Sequence, residues 1–298
     1  MTVGADVTIE QRRATMDKID MVPRPRNVDY VDTVVGGIPA IVATPRHVGP
    51  DRHILYIHGG AYVLGSPRSH IAMCARLAKR AAARVTVIDY RLAPEHVYPA
   101  AVDDCVAAYR AIIREVDPAM VTIAGDSAGG GAALATVAAL QAAGDPMPGA
   151  IYVLSPWTDL TGSGESVVTR APFDPMFDGT GLTDAALLYA GEVPLDHPGV
   201  SPLFADPTGY PPTLIQTGID EILLSDSTRL AQRCEAAGVD VRLDLRDDLW
   251  HVYQSLAGYM PEATDALVRA AVFIRDKTPA PLAPKPATGA SETAAASS

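Results

Sequence analysis

The chain is short of cysteine, of clustered positive charge and of long apolar runs. Only three cysteines (Cys74, Cys105, Cys234) occur in 298 residues, scattered and without C-x-x-C spacing. An odd, unpatterned set excludes a disulfide framework and a zinc ribbon, and predicts reduced, mostly buried thiols. No run of five or more Lys or Arg appears, and the formal net charge is −11. Phosphate backbones are gripped by clustered cations, so nucleic acid is not an expected partner. No stretch approaches the ~18 continuous apolar residues of a membrane span. The opening residues, MTVGADVTIEQRRATMDKID, carry charges throughout and no apolar signal core. A cytoplasmic protein without a membrane span is expected. The seven histidines lack metal-ligand spacing, so neither a metal nor another cofactor is expected.

What remains is a chain with 48% hydrophobic and 20% charged residues, ordinary for a globular protein with a sizeable core. Short β-branched runs predict strands at 29–35, 38–43, 53–57, 85–89, 121–125, 150–154, 213–217 and 241–246. Gly36-Gly37 between the first two predicts an antiparallel hairpin. Helical periodicity fills 69–83, 100–115, 128–143, 226–237 and 261–276. Such alternation builds a mostly parallel sheet covered on both faces. The connection 155–212 is too long for a simple crossover. It predicts a cap inserted at about 160–205, packed with an N-terminal helical segment near 8–20 within residues 1–28. The main domain is expected at 29–277, and the Pro/Ala/Ser-rich tail 278–298 is expected to be disordered.

Function enters at VTIAGDSAGGGAALATVAAL, residues 121–140. A serine between two glycines, where a strand turns into a helix, is the setting of a nucleophile elbow. The turn strains the serine backbone and presents its hydroxyl at the carboxyl end of the sheet, near the positive end of a helix dipole. Ser127 is the candidate nucleophile, and it requires a base, an orienting acid and an oxyanion site. The small-residue turn after the third strand, His58-Gly59-Gly60-Ala61, offers backbone donors. Gly60 and Ala61 are the foremost of these, with Gly59 beside them and the N–H of Ala128 completing the hole. His58 itself is expected to brace this loop. His251 is the one histidine after a late strand and is the candidate base. The remaining five read as surface or capping residues. The order Ser…acid…His fits this fold type. Asp220 and Glu221 both follow strand 213–217, and side-chain alternation does not choose between them. Asp226 reads as the N-cap of the next helix.

These pieces together resemble the hormone-sensitive-lipase-like branch of the α/β-hydrolases, whose bacterial members are carboxylesterases. The matching segments are HGGAYVLGS (58–66), DYRLAPEHVYPAAVDD (89–104), GDSAGGG (125–131), SPWTDL (155–160), DEILLSDS (220–227) and WHVYQ (250–254), in the family's order. The resemblance implies an α/β-hydrolase fold with a small helical cap and a triad of Ser127, an acid and His251. The family's acid is followed, after one residue, by leucine, about thirty residues before the histidine. Glu221-Ile222-Leu223 fits that register, and Asp220 misses it by one. Ala61 stands where the usual motif has a third glycine; it still supplies an N–H, while access for bulky tertiary-alcohol esters comes into question. Arg91 and Glu95 read as fixing a loop behind the site.

The implied activity is hydrolysis of small to medium carboxylic esters through an acyl-enzyme. WTDLTGSGES (157–166) and DEILLSDS resemble the sub-branch of acetyl-hydrolases and monoterpene lactone hydrolases, which adds lactones to the substrate class. Two other readings share the scaffold: a ligand-binding receptor, which in lookalikes lacks the histidine, and an amidase or formamidase. Homodimerisation through the last strand or helix is also a feature of lookalikes.

Overall fold

A computed structural model of the protein describes residues 8–18, 23–46, 51–177 and 180–279. Eight strands form one sheet: β1 (Val28–Val35), β2 (Ile38–Pro45), β3 (His53–Ile57), β4 (Arg84–Ile88), β5 (Val121–Asp126), β6 (Ala150–Leu154), β7 (Thr213–Gly218) and β8 (Val241–Arg246). Their spatial order is β1-β2-β4-β3-β5-β6-β7-β8. The hairpin β1–β2 is antiparallel, with Val35 opposite Ile38 across the Gly36-Gly37 turn, and β2 also runs antiparallel to β4. Every other pairing is parallel. The carboxyl ends of β5, β6, β7 and β8 therefore lie side by side along one rim.

The period of two along each central strand builds two cores. In β3, Leu55 and Ile57 join one apolar cluster while Ile54 and Tyr56 join the other. Ile151 and Val153 of β6 likewise oppose Ala150, Tyr152 and Leu154. All five residues of each strand are buried, as expected for a sheet covered on both faces. The first cluster is closed by α3 (Ala100–Ile112), α4 (Ser127–Ala143) and α7 (Leu224–Ala236), the second by α2 (Pro67–Ala81) and α8 (Pro261–Lys277). Each Leu or Ile buried this way contributes about 1.5–3 kcal/mol. Helix α2 starts where Ser66 and Ser69 form a reciprocal cap with Pro67 at the first position. Helix α4 is buried along most of its length and built largely of Gly and Ala, which lets it lie close against β3, β5 and β6.

The connection from β6 to β7 carries α5 (Ser166–Thr169) and α6 (Leu182–Ala190). The N-terminal helix α1 (Ile9–Met16) buries no residue of its own. It is held by Arg13, which donates to Val63 O (2.8 Å), to Ala93 O (2.8 Å) and through two nitrogens to the Glu95 carboxylate (2.7 and 2.8 Å). Val63 and Ala93 belong to the loops after β3 and β4, so this arginine fastens α1 at the rim. Arg91 forms a paired contact with Asp104 (2.7–3.0 Å), fixing its loop to α3.

Element ends shift by a few residues from the sequence expectation, and at two of them a buried polar residue takes a different partner. Asp226 is not an N-cap: α7 begins at Leu224, and the buried Asp226 carboxylate accepts instead from the N–H groups of Thr158 (2.7 Å) and Asp159 (2.8 Å) on another loop. Thr278, placed at the start of the tail, is buried; its hydroxyl donates to Ile274 O (2.6 Å) and its carbonyl accepts from Arg52 (2.7 Å). Residues 280–298 of that tail lie outside the described residues.

Candidate active site

Ser127 sits where β5 becomes α4, with φ 53°. A left-handed backbone costs a serine roughly 1–2 kcal/mol and persists only where the surroundings impose it. The glycines around it explain the imposition. A Cβ on Gly125 would collide with Gly129 O, and a Cβ on Gly129 with the carbonyls of Ile57 and His58 at the end of β3. Absence of both side chains lets the start of α4 press against two strand ends and drives the chain through the sharp turn. Ser127 is half-buried, and its carbonyl accepts from Trp157 N–H (2.9 Å). The N–H of Ala128, in the first turn of α4, has no acceptor within the helix.

The loop after β3 folds back through Val63 N–H (3.1 Å) and Leu64 N–H (2.8 Å), both donating to Gly60 O. Ala61 and Tyr62 take φ values of 54° and 63°. Among the described residues, no acceptor is found for the N–H groups of Gly60 and Ala61. Gly59 is a correction. Its N–H donates to Asp126 Oδ1 (3.2 Å), so this amide is committed to the scaffold and is not a free oxyanion donor.

The support beneath this loop is a buried polar cluster. Asp126 also accepts from Tyr56 O–H (2.8 Å) and lies 3.4 Å from Nε2 of His70. Burial alone would raise the Asp126 carboxyl; His70 and the Tyr56 hydrogen bond outweigh it and hold it below the usual range. Burial likewise disfavours the His70 imidazolium, but the Asp126 carboxylate outweighs that and raises it. His58 braces the loop: Nδ1–H donates to Gly59 O (2.8 Å), and the ring stacks on Tyr90 at 4.3 Å. Burial pushes its pKa down to about 3, so it stays neutral. The surface assignment fails for two histidines: His70 is paired with Asp126, and the buried His53 contacts Thr86 (2.8 Å). His47 lies outside the described residues.

Glu221 follows β7 and His251 follows β8, both almost fully buried. Glu221 Oε1 lies 3.6 Å from His251 Nδ1, a contact of the length that catalytic pairs often show before substrate tightens them. The other carboxylate oxygen accepts from Ser155 O–H (2.7 Å) and Gly218 N–H (3.3 Å). Asp220 points elsewhere, its carboxylate 3.8 Å from Arg170. The geometry thus sets Glu221 against the imidazole and Asp220 against the insertion.

Ser155 was missed by sequence reasoning. Its hydroxyl donates to Glu221 and accepts from Val252 N–H (3.1 Å), tying the acid loop to the base loop. Two residues on, Trp157 N–H reaches Ser127 O, so the short segment after β6 joins all three candidate triad positions. The available signal was the motif SPWTDL directly after a buried strand. Ser155 (φ 44°) and Val252 (φ 48°) add to the left-handed residues gathered at this rim. Two clefts, of about 500 and 240 Å³, open near Asp89, and neither is lined by Ser127 or His251.

A strained serine, a paired acid and imidazole on adjacent strand ends, and a loop after β3 whose Gly60 and Ala61 amides have no acceptor among the described residues form an arrangement suited to acyl transfer. A family model described as an α/β hydrolase fold, Abhydrolase_3, matches residues 54–255. The chain belongs to the α/β-hydrolase fold family. Among curated relatives of this α/β-hydrolase, an acetyl-hydrolase of Streptomyces hygroscopicus is 41% identical over 228 residues, covering 76% of each chain. An esterase of Acinetobacter venetianus is 38% identical, covering 74% of this chain and 73% of its own. Among solved structures, an esterase from the bacterial hormone-sensitive lipase family superposes with a TM-score of 0.90 at 39% identity, covering 93% of this chain and 94% of that one. Among the described residues of the hydrolase, no helix is long and apolar enough to cross a membrane.

Proposed function

We propose that this α/β-hydrolase is a serine carboxylic ester hydrolase, with Ser127 as nucleophile, His251 as base and Glu221 as orienting acid. The observation that carries the reading is a left-handed serine on the same rim as a buried carboxylate 3.6 Å from an imidazole. Names of the relatives, acetyl-hydrolase and esterase, support the same class of reaction.

The chemistry follows from the roles. Ser127 Oγ attacks the ester carbonyl while His251 Nε2 takes the hydroxyl proton, leaving an oxyanion in a tetrahedral intermediate. The N–H groups of Gly60, Ala61 and Ala128 donate to that oxygen, where each well-aimed donor lowers the barrier by about 3–4 kcal/mol. Glu221 holds the imidazole with Nδ1 protonated and stabilises the imidazolium. Collapse breaks the carbonyl–alkoxy bond, and the histidine passes its proton to the departing alcohol. Water, deprotonated by the same histidine, then attacks the acyl-enzyme, and Ser127 leaves with the proton restored.

The substrate class is small to medium acyl esters, which the name of the acetyl-hydrolase relative supports; lactones enter as candidates through the WTDLTGSGES segment alone. A ligand-binding protein on this scaffold would not need His251 held against a buried acid. Turnover of p-nitrophenyl esters from acetate to decanoate tests the reading, with Ser127→Ala as control. Activity is expected on the shorter chains and lost in the variant, together with labelling by a fluorophosphonate probe. Hydrolysis that survives Ser127→Ala refutes it. Parallel assays on matched amides and on lactones rank the competing bonds.

A further inference from the structure

The proposed triad does not account for the hydrogen bonds that the inserted segment makes to the acid loop. Asp174, in the connection between β6 and β7, is buried. Its Oδ1 accepts from the N–H groups of Met176 (2.8 Å) and Phe177 (3.1 Å), fixing the direction in which Phe177 leaves the turn. Its Oδ2 accepts from Ile222 N–H (2.9 Å), the residue directly after Glu221. The Phe177 ring meets the His251 ring edge-on, with centroids 4.9 Å apart and planes at 75°. One carboxylate therefore connects the aromatic ring over the imidazole to the loop that carries the acid.

The connection is reinforced on both sides of Ile222. Ser166 O–H donates to Ile222 O (2.6 Å), and Ser225 N–H donates to Ser166 Oγ (2.8 Å). Of these bonds, those made by Asp174 are the ones that reach Phe177, whose ring stands beside the His251 imidazole. In ester hydrolysis the departing alcohol oxygen must receive its proton from the histidine, so the alcohol's carbon chain lies against whatever covers that imidazole.

We propose that Phe177 walls the leaving-alcohol side of the site, that Asp174 is the positioning residue that sets it there, and that the enzyme prefers esters of larger apolar alcohols for that reason. This rests on the reading of His251 as the base.

The test compares kcat/KM across methyl, butyl and benzyl acetate, which vary the alcohol, with methyl butyrate and methyl hexanoate, which vary the acyl group. Phe177→Ala is expected to lower the benzyl-to-methyl acetate ratio by about 3- to 10-fold, the range of an aromatic contact, and to leave the acyl series in its wild-type order. Asp174→Asn keeps one oxygen for the Met176–Phe177 turn but loses the acceptor for Ile222 N–H. It is expected to lower the same ratio, and the double variant to lose no more than Phe177→Ala alone, because the two act as one unit. An unchanged ratio in Phe177→Ala overturns the alcohol wall. A changed ratio there with a wild-type ratio in Asp174→Asn overturns the positioning role. A shift in the acyl series in place of the alcohol series overturns the substrate class. Failure of the triad itself would read differently, as hydrolysis persisting in Ser127→Ala.

Discussion

Ser155→Ala is the most informative single change at the rim. The hydroxyl serves two loops at once: it donates to the buried Glu221 carboxylate at 2.7 Å and accepts from Val252 N–H at 3.1 Å. A hydrogen bond to a charged group contributes about 1.5–3 kcal/mol, and an N–H left without its acceptor costs up to about as much again. Val252 is only half-buried, so water recovers part of the second loss. The net expectation is about 2–4 kcal/mol of stability, or about 3–8 °C in Tm for a domain of this size. Glu221 would also lose its main restraint, and a misplacement near 1 Å at the acid would lower kcat by about 100-fold. Ser155→Gly sharpens the experiment. It removes the same hydroxyl but relieves the left-handed backbone at φ 44°, so it should be about 1 kcal/mol more stable than the alanine variant while losing as much kcat. Thermal melting and steady-state p-nitrophenyl acetate kinetics read both quantities. If Ser155→Ala melts within about 1 °C of wild type and keeps kcat within about twofold, the hydroxyl does not hold the acid and the reasoning fails.

Three further outcomes follow from the same geometry. Glu221→Gln should lower kcat by up to about 10⁴-fold through loss of the correct tautomer, whereas Asp220→Asn should stay within about threefold; the reverse order would move the acid to Asp220. Gly129→Ala would drive a Cβ into the carbonyls of Ile57 and His58, and should cost about 3 kcal/mol or more, read by denaturant unfolding. Asp226 is pushed up to about 7 by burial and by the neighbouring Asp159 charge, against the backbone donors that favour its anion. A carboxyl raised on folding contributes stability that is complete below its unfolded pKa and lost as pH rises through about 7. Asp226→Asn should therefore melt near wild type at pH 4 and above it at pH 8; a variant less stable at pH 8 would show that the charged form is favoured in the fold.

Much of the architecture was legible because it is periodic. Short β-branched apolar runs, and the Gly36-Gly37 turn, place the eight strands without reference to distant residues. The elbow was legible because a serine flanked by Gly125 and Gly129 at a strand–helix junction is a local pattern, although the carbonyls that exclude a Cβ from Gly129 belong to Ile57 and His58. Errors arose where a polar residue's partner lies far along the chain. Asp226 has the composition and position of a cap, yet Thr158 and Asp159, distant in sequence, claim its carboxylate. Gly59 belongs to a donor-rich turn, yet Asp126 takes its amide. His70 has no sequence mark that distinguishes it from a surface histidine, and only its pairing with Asp126 does so.

The amino-acid order alone determined the layered sheet, the strand ends that carry Ser127, Glu221 and His251, and the sharp turn at the serine, because each follows from short-range pattern and steric need. Tertiary structure decided which of two adjacent carboxylates meets the imidazole, that Ser155 joins their loops, and that Asp174 accepts from the turn that sets Phe177 against the His251 ring. Those outcomes depend on hydrogen-bond directions between segments that meet only after the sheet has assembled, when each buried polar atom must find its partner in space.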